Sequence, residues 1–299
     1  MSLQSPSSGP DPLGRLREQV RRAAEDGFAS AWLSNIFGLD ALTALAVAGS
    51  PDPGIELGTA VMPTYPRHPA ALAQQALTAS AALSGRLALG IGTSHKIVIE
   101  NIFGYRFDKP VLHTTEYLAV LRPLLAGQPV SFDGETVSAH ITLNVPEAGP
   151  VPVLLAALGP QMLRVAGQLA DGTVLWMTGP ATVADHVVPT LTSAAKEAGR
   201  PSPRVVCSLP VCVTDDADAA RARAAEVFAM YGDLPSYRAM LEREGAKGPA
   251  DVAIVGDEAA VAAQIDALAQ AGVTDFSAAE YGRGEEARRT RELLRSLVR

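Results

Sequence analysis

The stretch LALGIGTSHKIVIENIFGYRFDKP, Leu87 to Pro110, decides how the rest of the chain is read. It opens as a buried strand with glycine at alternate positions, Gly90 and Gly92, and then runs into Thr93, Ser94 and His95. Side chains on a strand alternate between its two faces, so the glycines share one bare face while Leu89 and Ile91 fill the other. Glycine inside a strand marks the close approach of a ligand or of another backbone. The segment invites comparison with the dinucleotide fingerprint G-x-G-x-x-G, but His95 stands where the last glycine belongs. It also lies on the fourth unit of the chain, whereas that fingerprint opens the first strand of its fold.

Strands and helices alternate on both sides of this segment. Upstream, LGRLREQVRRAAEDG reads as an amphipathic helix ended by Gly27, SAWLS as a short strand, and DALTALAVAGS as a helix capped by Asp40. IELGTAVMP is a strand, TYPRH a turn, and Pro69 opens the helix AALAQQALTASAALSG. Downstream, LHTTEYLAVLRPLLAG is a helix, and PVSFDGETVSAHIT reads as two short strands turning at Asp133-Gly134. The alternation resumes with VPVLLAA, TVLWMTG, PRVVCSLPVCVT and VTDFSAA as strands, each followed by helix, with an extra helix LPSYRAMLEREG. Seven strand–helix units are clear, and a first strand would fall on the Ser- and Pro-rich MSLQSPSS, where it reads as weak or irregular.

Such alternation predicts a parallel α/β sheet. A (β/α)8 TIM barrel of ~250 residues plus insertions fits the length, with an open doubly wound sheet as the competing arrangement. No composition shift or linker divides the 299 residues, so the chain reads as one domain, 1–299, with a β-hairpin insertion at about 130–141.

Composition narrows the function. The chain is 47% hydrophobic and 19% charged with a net charge of −7, an acidic balance that argues against nucleic acid as partner. No apolar run reaches the ~18 residues of a membrane helix, and the N-terminal residues show no secretory signal. Cys207 and Cys212 stand five apart on a predicted strand, so they face opposite sides and form no disulfide framework; a reducing, cytoplasmic setting is expected. The five histidines are scattered. His113 and Glu116 fall one helical turn apart, and a solvated face is expected there rather than a metal site.

In a barrel, ligands meet the carboxyl ends of the strands. Those ends are small here: Gly58 and Ala60, Gly90 and Gly92, Ala156, Ala157 and Gly159, then Thr178 and Gly179. Together they predict a flat slot, although glycine and alanine also serve close packing. Two of these ends, LGP and TGP, run into helix starts whose free N–H groups suit a phosphate or carboxylate.

The segments AWLSNIFGLDALTALA, IELGTAVMPTYPRHPAALAQQA, LSGRLALGIGTSH, EYLAVLRPLLAGQPVSFDGE and VLLAALGPQMLRVAGQLADGTVLWMTG, in that order, resemble the luciferase-like monooxygenase superfamily, and within it the branch of oxidoreductases using the deazaflavin coenzyme F420. The likeness runs from about Leu13 to Tyr281. It implies a (β/α)8 barrel with a hairpin insertion, a small-molecule substrate and a homodimer. It implies that the ring lies over the bare face at Gly90 and Gly92, beside Thr93 and Ser94, with Ala60, Val61 and Pro63 as further contacts and Arg67 and His68 beyond. The phosphate tail would meet Leu158, Gly159 and Pro160, with Thr178 and Gly179 on the same rim.

His95 corresponds to a position near the reactive centre, where it would serve as the proton-transferring catalytic residue or else hold a loop by hydrogen bonds. Many relatives carry an aspartate-histidine pair after the second strand. Here that place reads Ser34-Asn35-Ile36, which puts alcohol oxidation by that route in doubt, while Asn35 can still hydrogen-bond ring or substrate. Core packing is expected of Trp32 and Trp176. Three functions follow: hydride transfer between coenzyme F420 and a small organic substrate, an FMN-dependent monooxygenase using reduced flavin and oxygen, or a cofactor-binding barrel without turnover.

Overall fold

The computed structural model describes residues 1–5, 9–50, 54–146 and 148–298. Its strands are β1 (Ser2–Leu3), β2 (Ser30–Leu33), β3 (Glu56–Thr59), β4 (Met62–Pro63), β5 (Leu87–Gly92), β6 (Val130–Asp133), β7 (Ser138–Ile141), β8 (Val153–Ala156), β9 (Gly172–Trp176), β10 (Arg204–Val213), β11 (Ile254–Gly256) and β12 (Asp275–Glu280). The parallel ladder runs β1-β2-β3-β5-β8-β9-β10-β12, and the side-chain amide of Gln4 donates to the Glu280 carbonyl at 3.3 Å where β12 comes back to β1. This is the nearly closed eight-stranded barrel expected of a (β/α)8 fold, with helices between the strands. The strand expected in MSLQSPSS is present but only two residues long, pairing Ser2 with Trp32 and Leu3 with Leu33; Pro6, Ser7 and Ser8 lie outside the described residues. The helices start where the sequence supplies caps: Asp11, Asp40, Asp216 and Asp257 each accept a first-turn N–H.

Three local readings are corrected. IELGTAVMP is not one strand. Thr59 ends β3, the cis-linked pair Ala60–Val61 leaves the ladder, and β4 resumes against β5 with Met62 opposite Ile91. The short strand β11, pairing with Val211–Val213, was not anticipated. His113 and Glu116 are buried, not solvated. Glu116 accepts from the N–H groups of Glu135 (2.8 Å), Thr136 (2.6 Å) and Val137 (3.2 Å) and from the Thr136 hydroxyl (2.6 Å), pinning the β6–β7 hairpin to the helix Pro110–Leu125. Burial pushes its carboxyl up, but these bonds to the ionised form win and hold it below the usual carboxylate range. Among the described residues no group of His, Cys, Asp or Glu is arranged to hold a metal, and no helix is long and apolar enough to cross a membrane. Cys207 and Cys212 are free and buried in separate clusters.

The interior of the barrel is filled in layers. At the bottom, Arg204 bridges Glu56 (2.9 Å) and Asp275 (2.6 Å), its guanidinium 5.8 Å from the centre of the Trp32 ring. Above it Trp32 packs with Ala88, Leu154, Val174 and Val206, and Ala60 and Val61 lie against this layer. The expectation that Gly58 and Gly90 belong to a ligand slot is corrected by what touches them. A Cβ on Gly58 would sit 2.2 Å from the Trp32 indole, and one on Gly90 would sit 2.0 Å from the Thr59 carbonyl oxygen. Thr59 and Gly90 also exchange hydrogen bonds, the hydroxyl donating to the Gly90 carbonyl (2.8 Å) and accepting from its N–H (2.9 Å).

One more tie positions the site. The helix Pro235–Glu244 lies over the strand ends, and the carboxylate of its last residue accepts from the N–H groups of Ala181 (3.1 Å) and Thr182 (2.7 Å) at the helix start that follows β9.

Gly90→Ala should therefore destabilise the protein by about 3 kcal/mol, since the clash is with backbone that cannot rotate away. Gly159→Ala, with nothing within 4 Å of its Cβ, should cost at most about 1 kcal/mol through a poorer N-cap. Urea unfolding midpoints of the two variants check the contrast, and equal losses would refute it. Glu244→Ala should cost about 1–2 kcal/mol and speed hydrogen exchange at the Ala181 and Thr182 amides; unchanged exchange there would show that the carboxylate does not hold the loop.

Candidate active site

The carboxyl ends of the strands open on a cavity of two adjoining lobes, about 760 Å³ and about 270 Å³. Both lobes are lined by Ala60, Val61, Ser94, His95, Val174, Leu175, Trp176, Leu234 and Tyr237, so these residues form the junction. The large lobe continues over Gly92, Thr93, Ala156, Leu158 and Gly159, with Lys96, Glu100 and Asp233 among its charged residues. The small lobe reaches Ser34, Asn35, Ile36, Phe37, Pro63, Phe103, Ser208, Met230 and Tyr231.

Most of the residues singled out in the sequence thus meet in one place. Asn35 and Pro63 are in the small lobe, Gly92, Thr93, Leu158 and Gly159 in the large one, and Ala60, Val61, Ser94 and His95 between them. Gly92 differs from Gly90: a Cβ there would come 2.8 Å from Val61 Cγ2 and 3.1 Å from Ala156 Cβ, side chains on the cavity wall. Asn35 is half committed, because its Oδ1 accepts the Ala41 N–H at 2.9 Å and only its amide nitrogen remains to face the lobe.

Gly90, Pro160, Thr178 and Gly179 do not line the cavity. Thr178 is fully buried, donating to the Trp176 carbonyl at 3.2 Å. Gly179 lies beneath Glu244, whose carboxyl carbon would be 2.3 Å from a Cβ. Arg67 and His68 are used by the fold. Arg67 pairs with Asp40 at 2.6 Å. His68 accepts the Ala70 N–H at 3.3 Å through Nδ1, and its Nε2 meets the Ser138 carbonyl at 3.1 Å.

The two helix starts therefore differ. At the one after β9 the N–H groups of Ala181 and Thr182 are taken by Glu244. At Pro160–Leu169, Gly159 faces open space, and among the described residues no acceptor meets the N–H groups of Gln161 or Met162. An anion held there would gain two backbone donors and the positive end of the helix dipole.

His95 ends the strand–loop and begins the short helix Lys96–Asn101. Its backbone carbonyl accepts from Val98 (2.9 Å) and Ile99 (3.0 Å), so the loop is held by its main chain. Among the described residues nothing hydrogen-bonds its imidazole, which packs tilted against Tyr237 with ring centres 5.4 Å apart. Burial lowers its pKa below the ordinary histidine value, so the ring is neutral at pH 7. Tyr231 and Tyr237 are pushed upward by burial and are also neutral. Trp176 packs against the core as expected and also lines both lobes, edge-on to Phe228 (5.9 Å) and Tyr231 (5.5 Å).

Sequence reasoning missed the roof: Tyr231, Leu234 and Tyr237 come from the long segment between β10 and β11. A signal existed in composition. Aromatics are only 5% of the chain, yet Phe228, Tyr231 and Tyr237 cluster within one connection.

The fold is shared with solved proteins. A coenzyme F420-dependent tetrahydromethanopterin reductase from Methanopyrus kandleri superposes with a TM-score of 0.82 at 23% identity, over 100% of this chain and 97% of that one. The FMN-bound oxygenating constituent of 3,6-diketocamphane monooxygenase from Pseudomonas putida superposes at 0.78 and 17% identity, over 99% and 94%. In sequence, a 5,10-methylenetetrahydromethanopterin reductase of Methanolobus tindarius is 30% identical over 237 residues, 79% of this chain and 72% of the relative. The family model for luciferase-like monooxygenases matches residues 2–275, from β1 to the start of β12, and the chain belongs to that family of oxidoreductase enzymes.

Proposed function

We propose that the protein transfers a hydride between coenzyme F420 and a small organic substrate, with the ring at the junction of the two lobes and the tail phosphate at Gly159. The observation that carries this reading is the helix start at Pro160–Leu169, open to the same cavity that His95 enters. The walls suit a flat ring: Ala60, Gly92 and Ala156 present no bulk. Similarity in sequence to a putative coenzyme F420-dependent oxidoreductase of Mycobacterium tuberculosis, 32% identical over 186 residues, favours the deazaflavin over FMN.

When bound, the deazaflavin supplies or accepts the hydride. The chain does the rest. Ala60 and Val61 back the ring, and the free N–H groups beyond Gly159 hold the anionic tail. Trp176, Tyr231 and Tyr237 cover the junction and exclude water. The imidazole of His95, neutral at pH 7, takes the proton the substrate loses when hydride leaves it; in the opposite direction its protonated form gives that proton back. Thr93, Ser94 and the Asn35 amide offer the polar contacts that orient ring and substrate.

Equilibrium titration with coenzyme F420 and with FMN, side by side, tests the cofactor; tighter FMN binding would transfer the reading to the flavin monooxygenases. Gly92→Leu should abolish coenzyme binding while the fold survives by circular dichroism; normal affinity would place the ring elsewhere, and loss of the fold would assign Gly92 to packing against Val61 and Ala156.

His95→Ala should lower turnover by ~10²–10⁴-fold with little change in coenzyme affinity. Because the pKa of His95 is depressed, its neutral form persists below the ordinary value of ~6.5. Substrate oxidation, in which the ring takes the proton, should hold at that pH and decline only as more acid conditions protonate it, whereas substrate reduction, which needs the protonated ring, should fall as the pH rises. That acid limb should be absent in His95→Asn, and His95→Asn with full turnover would reduce His95 to a positioning role. Tight coenzyme binding with no substrate oxidised or reduced would favour a barrel without turnover.

A further inference from the structure

The small lobe differs in chemistry from the large one. Among the described residues no lysine, arginine, aspartate or glutamate lines it, whereas Lys96, Glu100 and Asp233 stand along the large lobe. Its titratable groups, His95, Tyr231 and Tyr237, are all held in their neutral forms by burial. Its other polar contacts are few: the Asn35 amide and the hydroxyls of Ser2, Ser34, Ser94 and Ser208.

The apolar wall does not stop at the lobe. Ile36, Phe37 and Met230 each line it and are each 63% exposed, and Phe103 lines it at 40% exposure with its ring 6.5 Å from that of Phe37. Exposed large apolar side chains are unremarkable singly, but these four come from three separate connections and converge on one opening. A charged substrate entering here would leave water and meet no counter-charge, at a cost of several kcal/mol. An apolar one would bury surface at every step inward.

We infer that the small lobe and its rim form the substrate channel, and that the substrate is an uncharged, lipophilic molecule carrying an alkyl or alicyclic body behind one carbonyl or alkene at the junction. Calling this ligand the substrate rests on the function proposed above. The specificity residues are Ile36, Phe37, Phe103 and Met230 for the body, and Asn35 for its polar end.

The test uses the cofactor-free protein with the uncharged dye Nile red, displaced by methyl ketones from butanone to octanone. Affinity should rise about fourfold per added methylene. Alkanoates of equal length should bind at least about tenfold more weakly. Phe37→Asp and Met230→Asp, both at exposed positions, should flatten the chain-length dependence while coenzyme F420 affinity, titrated on the same samples, stays at the wild-type value. A flat ketone series, equal binding of the alkanoates, or displacement by phosphatidylcholine vesicles but not by ketones would overturn the inference, the last assigning the rim to a lipid surface. If neither coenzyme F420 nor FMN binds while the ketone series behaves as expected, the proposed hydride transfer fails and the apolar ligand channel stands.

Discussion

The Trp32 indole occupies the width of the barrel interior, and the layers above and below it follow from that fact. A closed parallel sheet of eight strands encloses space that side chains must fill. One large aromatic does most of this filling, its Nε1 donating to the Ser30 hydroxyl at 2.9 Å. Gly58 is glycine because the ring lies against it. Arg204 can sit beneath because Glu56 and Asp275 neutralise it and the ring face receives its guanidinium. Ligand space then begins at Ala60, Val61 and Val174, which lie against the ring, so the depth of the site is fixed by a residue that does not line it.

Above that floor the chain separates two kinds of ligand chemistry within a few residues. One helix start is satisfied internally by Glu244, and the other is left for an anion. On the proposed reading, a phosphate tail is therefore held on one side of the junction only. Among the described residues no lysine, arginine, aspartate or glutamate lines the opposite lobe. A long molecule with an anionic tail and a flat head is oriented by this asymmetry before any specific contact to the head is made.

Much of this was legible in the sequence. Alternating strand and helix signals gave the barrel, the Asp133-Gly134 turn gave the hairpin, and the small strand ends pointed to the face on which the cavity opens. The glycines were the difficulty, because a missing side chain looks the same whether the space belongs to a ligand or to a neighbour. Gly92 and Gly159 border the cavity, while Gly90 makes room for the Thr59 carbonyl and Gly179 for the Glu244 carboxylate. No local pattern separates these cases, since the neighbours are 31 and 65 positions away in sequence. His113 and Glu116 illustrate the same limit: helical spacing placed them on one face, but only the tertiary fold covers that face with the hairpin. The roof was hidden for a different reason. Tyr231 and Tyr237 lie on a connection that reads as one barrel helix and one extra helix with nothing to say where the extra one packs, and their inward direction is set by where that connection crosses the strand ends.

The attachment of the helix Pro235–Glu244 gives the roof an energetic character distinct from that of the floor. The floor is made of strand residues bonded on both sides, so exposing it requires breaking the barrel as a whole. The roof helix buries only Met240 and Leu241 and is fastened at its end by one carboxylate to two amides. Its release disrupts a handful of contacts, which places it at the low end of the ladder of partial openings available to a folded protein. Displacing this one helix, held by Glu244 and by the Thr182 hydroxyl on the Met240 carbonyl, uncovers the cavity beneath Tyr237 while the eight strands stay paired, at a lower cost than opening the barrel.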